Sequence, residues 1–288
     1  MTLQTTGSAL HPDTHTFYSQ ALAALAAAEI PFLVGGAYAF THHTTIQRRT
    51  KDFDIFMRPR DVKPALVALA AAGYATEITF PSWLVKATCE TDNIDIIFNS
   101  ANGITPVDGS WFTHAGKAQL LDTTLLLCPI EELIWSKAFV MGRERNDSAD
   151  IAHLLHTHGA RLDWERLLWR FGPRWRVLLS HLVLFGFIYP SERDRIPAWV
   201  MEHLVSSLQA ELITPAPHTR ICNGTVLSWD QYLGDVEEAE YLDGRLAPWG
   251  TLEQADVDHI TQTLRGEKLP RPGPQLAASP RAGAEPRQ

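Results

Sequence analysis

The pattern of the chain changes once, at Pro129, and that change limits the folds open to it. Before Pro129, short apolar runs with strand spacing alternate with helical stretches. Apolar positions recur at helical spacing over 14–29 and 62–72, and Ala37 to Phe40 opens another helix. Phe32-Leu33-Val34 and residues 52–57, 83–89, 94–98 and 125–128 read as strands. The pair 83–89 and 94–98 is joined by the turn-like Glu90-Thr91-Asp92-Asn93, which predicts a hairpin. After Pro129 the period is helical, with helices expected near 130–141, 147–157, 162–171, 174–188 and 197–212. Residues 221–243 mix polar and aromatic side chains without a period and suit a helix with long loops. The expected class is α+β: a mixed α/β core over 1–128, then a helical region over 129–265. Residues 266–288 are rich in Pro, Ala, Gly and Arg and have almost nothing to bury, so a disordered tail is expected there.

Charge and cysteine usage exclude several classes of function. The formal charge is −8 and the tail is net basic, so the rest of the chain is more acidic still. Bulk charge therefore argues against nonspecific nucleic-acid binding. Val177 to Phe187 is the longest strongly apolar run, and it contains His181. It falls short of the roughly 20 apolar residues that span a bilayer, so no membrane association is expected. Cys89, Cys128 and Cys222 are far apart and without CxxC spacing, which suits a reducing cytoplasm.

Three features carry chemistry. In Phe32-Leu33-Val34-Gly35-Gly36, a strand ends in two glycines and a helix follows. Glycines allow close approach of the backbone to a phosphate, and the helix start offers free N–H groups. In Thr50-Lys51-Asp52-Phe53-Asp54-Ile55-Phe56, two carboxylates at i and i+2 share one strand face, roughly 6–7 Å apart. Such a pair repels itself unless a cation joins it, and hard oxygen donors suit Mg²⁺ or Mn²⁺. In Ile94-Asp95-Ile96-Ile97-Phe98, a lone charge sits in an apolar strand, where burying it unpaired is expensive. If the strands of Asp54 and Asp95 are neighbours, three acids share a face, which suits two divalent ions gripping a phosphoryl displacement. The bland alternatives are a structural glycine turn and a solvated strand edge.

Together, Gly35-Gly36, Asp52-x-Asp54 and the later Asp95 resemble the nucleotidyltransferase superfamily of the DNA polymerase β type. The wording Val34-Gly35-Gly36-Ala37-Tyr38-Ala39, followed by Arg49-Thr50-Lys51-Asp52-Phe53-Asp54, is most similar to small stand-alone bacterial members, the AbiEii-type toxin transferases. Ser136-Lys137, then Arg145-Asn146-Asp147-Ser148-Ala149-Asp150, resembles the family's Lys…Arg…Asp-x-x-Asp element. The resemblance covers roughly residues 14–157 and implies a nucleotidyltransferase-like mixed sheet flanked by helices. It further implies transfer of NMP from an NTP to an acceptor hydroxyl: an RNA end, a protein or a small molecule. Asp52, Asp54 and Asp95 become the catalytic and Mg²⁺- or Mn²⁺-binding acids. Gly35, Gly36, Lys137 and Arg145 become the nucleotide contacts. Many relatives carry Ser after the second glycine, where this chain has Ala37, which leaves the phosphates to backbone amides. The alternative is a catalytically silent nucleotide-binding or interaction module.

Other polar clusters read as structural. His153 and His156 share a helix face and His158 sits by a helix end, an ordinary place for a cationic side chain. His42-His43 reads as a solvated loop pair. Arg161, Arg166, Arg170, Arg174 and Arg176, among three tryptophans, read as a solvated helical face.

Overall fold

The computed structural model describes residues 12–48, 50, 52–89 and 92–265. Arg49 and Lys51 of the acidic segment, Glu90 and Thr91 of the expected hairpin turn, and the tail 266–288 lie outside the described residues. The first half of the chain runs α1 (Pro12–Ala27), β1 (Leu33–Val34), α2 (Gly36–Thr44), β2 (Asp52–Phe56), α3 (Pro59–Ala71), β3 (Ala75–Phe80), β4 (Leu84–Cys89), β5 (Asp92–Ile97), α4 (Gly109–Thr113), β6 (Gly116–Leu120) and β7 (Thr123–Leu127). The second half runs α5 (Ile130–Ala138), α6 (Ser148–His158), α7 (Trp164–Phe171), α8 (Trp175–Ile188), α9 (Ala198–Leu212), β8 (Ile221–Cys222), α10 (Gly224–Leu227), α11 (Trp229–Glu237), β9 (Leu242–Asp243) and α12 (Gln254–Leu264).

A mixed sheet in the order β3-β4-β5-β2-β1-β7-β6 forms the centre. Strand β2 runs parallel to β5 and antiparallel to β1, and β1 runs parallel to β7. Alternation along β2 and β5 sorts their side chains between the two faces. Phe53, Ile55, Ile94 and Ile96 enter one apolar cluster with Leu22 and Leu25 of α1 and Val62 and Leu69 of α3. Phe56 enters the other, with Phe40 of α2, Leu133 and Ile134 of α5, and residues of α6 through α9. The sheet is thus a layer between helices, an α+β architecture, and both halves of the chain contribute to the second cluster. Among the described residues no helix is long and apolar enough to cross a membrane.

The pattern misses elements that lack a buried face. Every residue of β3 is at least partly exposed, and β6 closes the opposite edge with one buried residue. Such edge strands have little apolar alternation to read. The helix α12 escapes because its polar residues outnumber the few that it buries. Two of its residues, Val257 and Ile260, with Leu252 before the helix, pack on Phe80 and Trp83 of the β3–β4 turn. Residues 221–243 form two short helices and the β8–β9 pair in place of one helix with long loops.

The histidine pair departs from the loop expected for it. His42 and His43 lie in the last turn of α2, and His43 Nε2–H donates to the Cys128 carbonyl (3.1 Å). Burial pushes the His43 imidazole down to about 4; the Cys128 hydrogen bond opposes this, and the neighbours His158 and His42 add to it. An unfolded histidine takes up a proton near pH 6.5. The folded chain holds His43 neutral, so stability should fall as pH drops from about 6.5 toward 4, by on the order of 3 kcal/mol for this residue. In His43→Gln, which can keep the donor, that part of the decline should vanish from thermal midpoints taken across this range. Parallel profiles for the two proteins would clear His43 of the role.

Candidate active site

The glycine turn is built against β2. Gly35 N–H donates to the Asp54 carbonyl (2.9 Å), which continues the β1–β2 pairing into the turn. A Cβ on Gly35 would stand 2.1 Å from the Phe56 ring. Gly36 has φ +53°, and a Cβ there would stand 1.7 Å from Asp54 Oδ2. The backbone that starts α2 therefore rests directly on the Asp54 carboxylate, a contact that only glycine permits. Gly36→Ala should displace Asp54, costing about 1–2 kcal/mol of stability for the left-handed backbone alone. Urea melts read that loss directly, and a variant as stable as the parent would show that the turn simply relaxes.

The acids meet through strand register. Asp54 pairs with Asp95 and Asp52 with Asn93 across the parallel β2–β5 ladder, so Asp52, Asp54 and Asp95 share one face of the sheet. Their surroundings differ. Asp95 Oδ1 accepts from Asn93 Nδ2 (2.7 Å) and lies 3.1 Å from Lys86 Nζ. Asp54 has no such relief. Burial, then the Asp95 charge, raises its carboxyl to about 6; Asp52 adds to this, and Arg145 and Lys137 oppose it.

Above this face lies a cluster of cations tied to α6. Lys137 Nζ donates to Asp147 and Asp150, each at 2.8 Å, and passes 5.9 Å from the centre of the Phe40 ring. Asp147 stands just before α6 and Asp150 lies in its first turn, so the helix start brings both carboxylates to one lysine. Arg145 binds Asp147 (3.2 Å) yet keeps a side chain 73% exposed. Burial alone would lower the Arg145 guanidinium; the hydrogen bond and charge of Asp147, with help from Asp54, raise it instead. Arg48 pairs with Asp150 from the segment after α2. The fold thus brings Gly35, Gly36, Asp52, Asp54 and Asp95 together, and sets Lys137 and Arg145 where their charges act on Asp54. Lys86, Asn93 and Arg48 belong to no sequence motif. Lys86 had a legible signal: like Asp95, it is a lone charge in one arm of an apolar hairpin.

Among the described residues no three His, Cys, Asp or Glu side chains stand close enough to hold a metal ion by themselves. The donor set still fits Mg²⁺, which is ordinarily bound by one or two carboxylates completed by water and substrate phosphates. Asp54, half-buried between like charges, is the kind of ligand that such a cation would relieve.

The remaining polar clusters have partners within the protein. His153 meets the Tyr189 hydroxyl (3.2 Å), and His158 Nε2–H donates to the His43 carbonyl (2.7 Å). The arginine run is a correction: Arg166 and Arg170 are not solvated. Arg170, its side chain 3% exposed, binds Glu132 (3.1 Å) and Asp108 (2.8 Å), and Arg166 binds Glu132 (3.0 Å) and Glu131. These two arginines lie on the core side of α7 with Trp164, Leu167 and Phe171.

No protein-family model matches this chain, and no curated protein matches it by sequence. Remote likenesses exist among solved structures. The antibiotic-resistance factor ANT(2'')-Ia is 14% identical, with 60% of this chain and 98% of that one aligned at a TM-score of 0.42. A second structure of ANT(2'')-Ia, in complex with adenylyl-2''-tobramycin, gives 14% identity, 62% and 99% coverage and a TM-score of 0.37. The lincosamide antibiotic adenylyltransferase LnuA, lincomycin-bound, is 18% identical, with 50% and 96% aligned at a TM-score of 0.36. At these scores the likeness says nothing of this chain's substrate.

Proposed function

We propose that this chain transfers a nucleoside monophosphate from an NTP to an acceptor hydroxyl, as a stand-alone transferase of the AbiEii type. The observation that carries this is the register that sets Asp54 beside Asp95, under a glycine turn that leads into a helix start. The two glycines and the first N–H groups of α2 hold the β- and γ-phosphates. Backbone suffices there, since Ala37 has no hydroxyl to add. Lys137 and Arg145 face the charge of the triphosphate from above, held in place by Asp147. Mg²⁺ or Mn²⁺, held by Asp52 and Asp54 with phosphate oxygens and water, would supply charge neutralisation at the phosphates when bound. Asp95 faces the incoming hydroxyl and takes its proton. The acceptor oxygen bonds to the α-phosphorus, the bond from that phosphorus to the bridging oxygen breaks, and pyrophosphate leaves. The helical region 129–265 shapes the acceptor side, where an RNA end, a protein hydroxyl or a small molecule would enter. The three free cysteines suit a cytoplasmic setting.

One observation favours a second reading, a silent nucleotide-binding module: Lys137 already satisfies two carboxylates. Incubation with each α-labelled NTP, Mg²⁺ or Mn²⁺, and a cell extract decides between them. Label on a nucleic acid, a protein or a small product identifies the acceptor class. NTP binding without label transfer supports the silent module, and failure to bind any NTP removes both readings.

A further inference from the structure

A single row of side chains crosses four strands of the sheet. Glu77 of β3 stands beside Lys86 of β4, Lys86 beside Asp95 of β5, and Asp95 beside Asp54 of β2. Lys86 therefore has an acid on each side and engages one of them. Its Nζ lies 3.1 Å from Asp95 Oδ1 and 3.4 Å from Oδ2, and among the described residues it makes no ion pair with Glu77. The chosen pair is the more enclosed, with side chains 30% and 14% exposed for Lys86 and Asp95. Glu77, at the solvated edge strand, is left to water.

This choice divides the acidic face in two. On one side Asp54 is crowded by like charge. On the other, Asp95 Oδ1 is already taken by the Asn93 amide and the Lys86 ammonium. A divalent ion bridging to Asp95 would have to sit beside that ammonium, two cations a few ångströms apart. Charge balance points the same way. Three carboxylates and one ammonium leave two negative charges, which a single divalent ion neutralises.

We propose that Lys86 is a fixed cation of this site, standing at Asp95 in place of a second divalent ion, so that the site takes one such ion, at Asp52 and Asp54. The proposal rests on the metal-binding reading of these acids given above. Lys86 acts through Asp95 and is a positioning residue: it holds the carboxylate oriented toward the acceptor without a metal on that side.

The test is Mn²⁺ titration of the full chain without nucleotide, following free Mn²⁺ by electron paramagnetic resonance into the millimolar range. Wild type should bind one Mn²⁺ at this site, and Asp54→Asn should lose it. Lys86→Gln removes a positive charge and frees Asp95, so Mn²⁺ affinity should rise roughly tenfold, or a second ion should bind. Lys86→Arg should behave as wild type, and adding Asp95→Asn to Lys86→Gln should cancel the gain. Lys86→Met keeps the aliphatic stem and gives the same reading if the Gln variant does not fold. A purely structural lysine would alter the melting temperature and leave Mn²⁺ binding alone. Unchanged affinity and stoichiometry in Lys86→Gln, or two ions in wild type, would overturn the proposal. No arm needs turnover, so an inactive protein that still shows the Lys86 effect loses only the transferase reading. Absence of any Mn²⁺ uptake in wild type would end the metal reading and this inference together.

Discussion

Asp54→Asn is expected to abolish nucleotidyl transfer and at the same time to make the metal-free protein more stable. The loss of activity follows from its place: the Gly36 backbone rests on its carboxylate, and Asp95 is its register partner. On the proposed reading Asp54 would hold the cation that neutralises the reacting phosphates, so its loss should lower the rate roughly a thousandfold. The gain in stability follows from the state of the same group. Burial and the Asp95 charge raise its carboxyl to about 6, so at neutral pH the folded chain holds a charge that its surroundings disfavour. A neutral amide of the same shape removes that repulsion, for about 1–2 kcal/mol, or a few degrees in Tm. The comparison is thermal melting at pH 7.5 in EDTA. A variant that melts below wild type would mean that Asp54 has stabilising contacts in the native state. Millimolar Mn²⁺ with NTP should reverse the order by stabilising wild type alone.

The second large effect lies away from the site. Glu132→Ala is expected to destabilise the fold by roughly 3–5 kcal/mol, because it removes the fully buried carboxylate that Arg166 and Arg170 share. The Glu132 side chain is fully buried and accepts from both Arg166 and Arg170. Burial raises its carboxyl, with the two arginines working against that shift. The network reaches further: burial opposes ionisation of Asp108, yet hydrogen bonds from Arg170 and Ser110 hold it down to about 2. Glu132 thus links α5 and α7 to the segment that leads into α4. Urea unfolding of Glu132→Ala measures the loss, and a change below about 1 kcal/mol would show that Glu131 and Asp108 suffice for the two arginines. Replacing the three buried partners together by apolar residues of similar volume should be far milder than removing one of them.

The chain alone determined most of what positions the candidate site. The switch at Pro129, the strand spacing of 52–57 and 94–98, and the helices over 148–188 are local patterns, and local patterns survive being read in one dimension. The acids were legible because charge inside an apolar strand is expensive, which marks Asp54 and Asp95 whatever surrounds them. What tertiary structure decided is which groups those charges meet. That β5 lies parallel beside β2, in the register that pairs Asp54 with Asp95, depends on a strand order running through β1, β7 and β4. Lys86 becomes a partner of Asp95 and leaves Glu77 aside only through that order. His43 shows the same limit: its imidazole is held neutral by the burial that packing imposes, with His158 and His42 adding to it and the Cys128 carbonyl opposing it. Arg166 and Arg170 are the plainest case. By composition they read as solvent-facing charges, and their burial is offset by partners that include Glu131, Glu132 and Asp108. Periodicity records which way a side chain points, but the energy of a charge depends on the neighbours and the dielectric it finds there, and distant parts of the chain supply both.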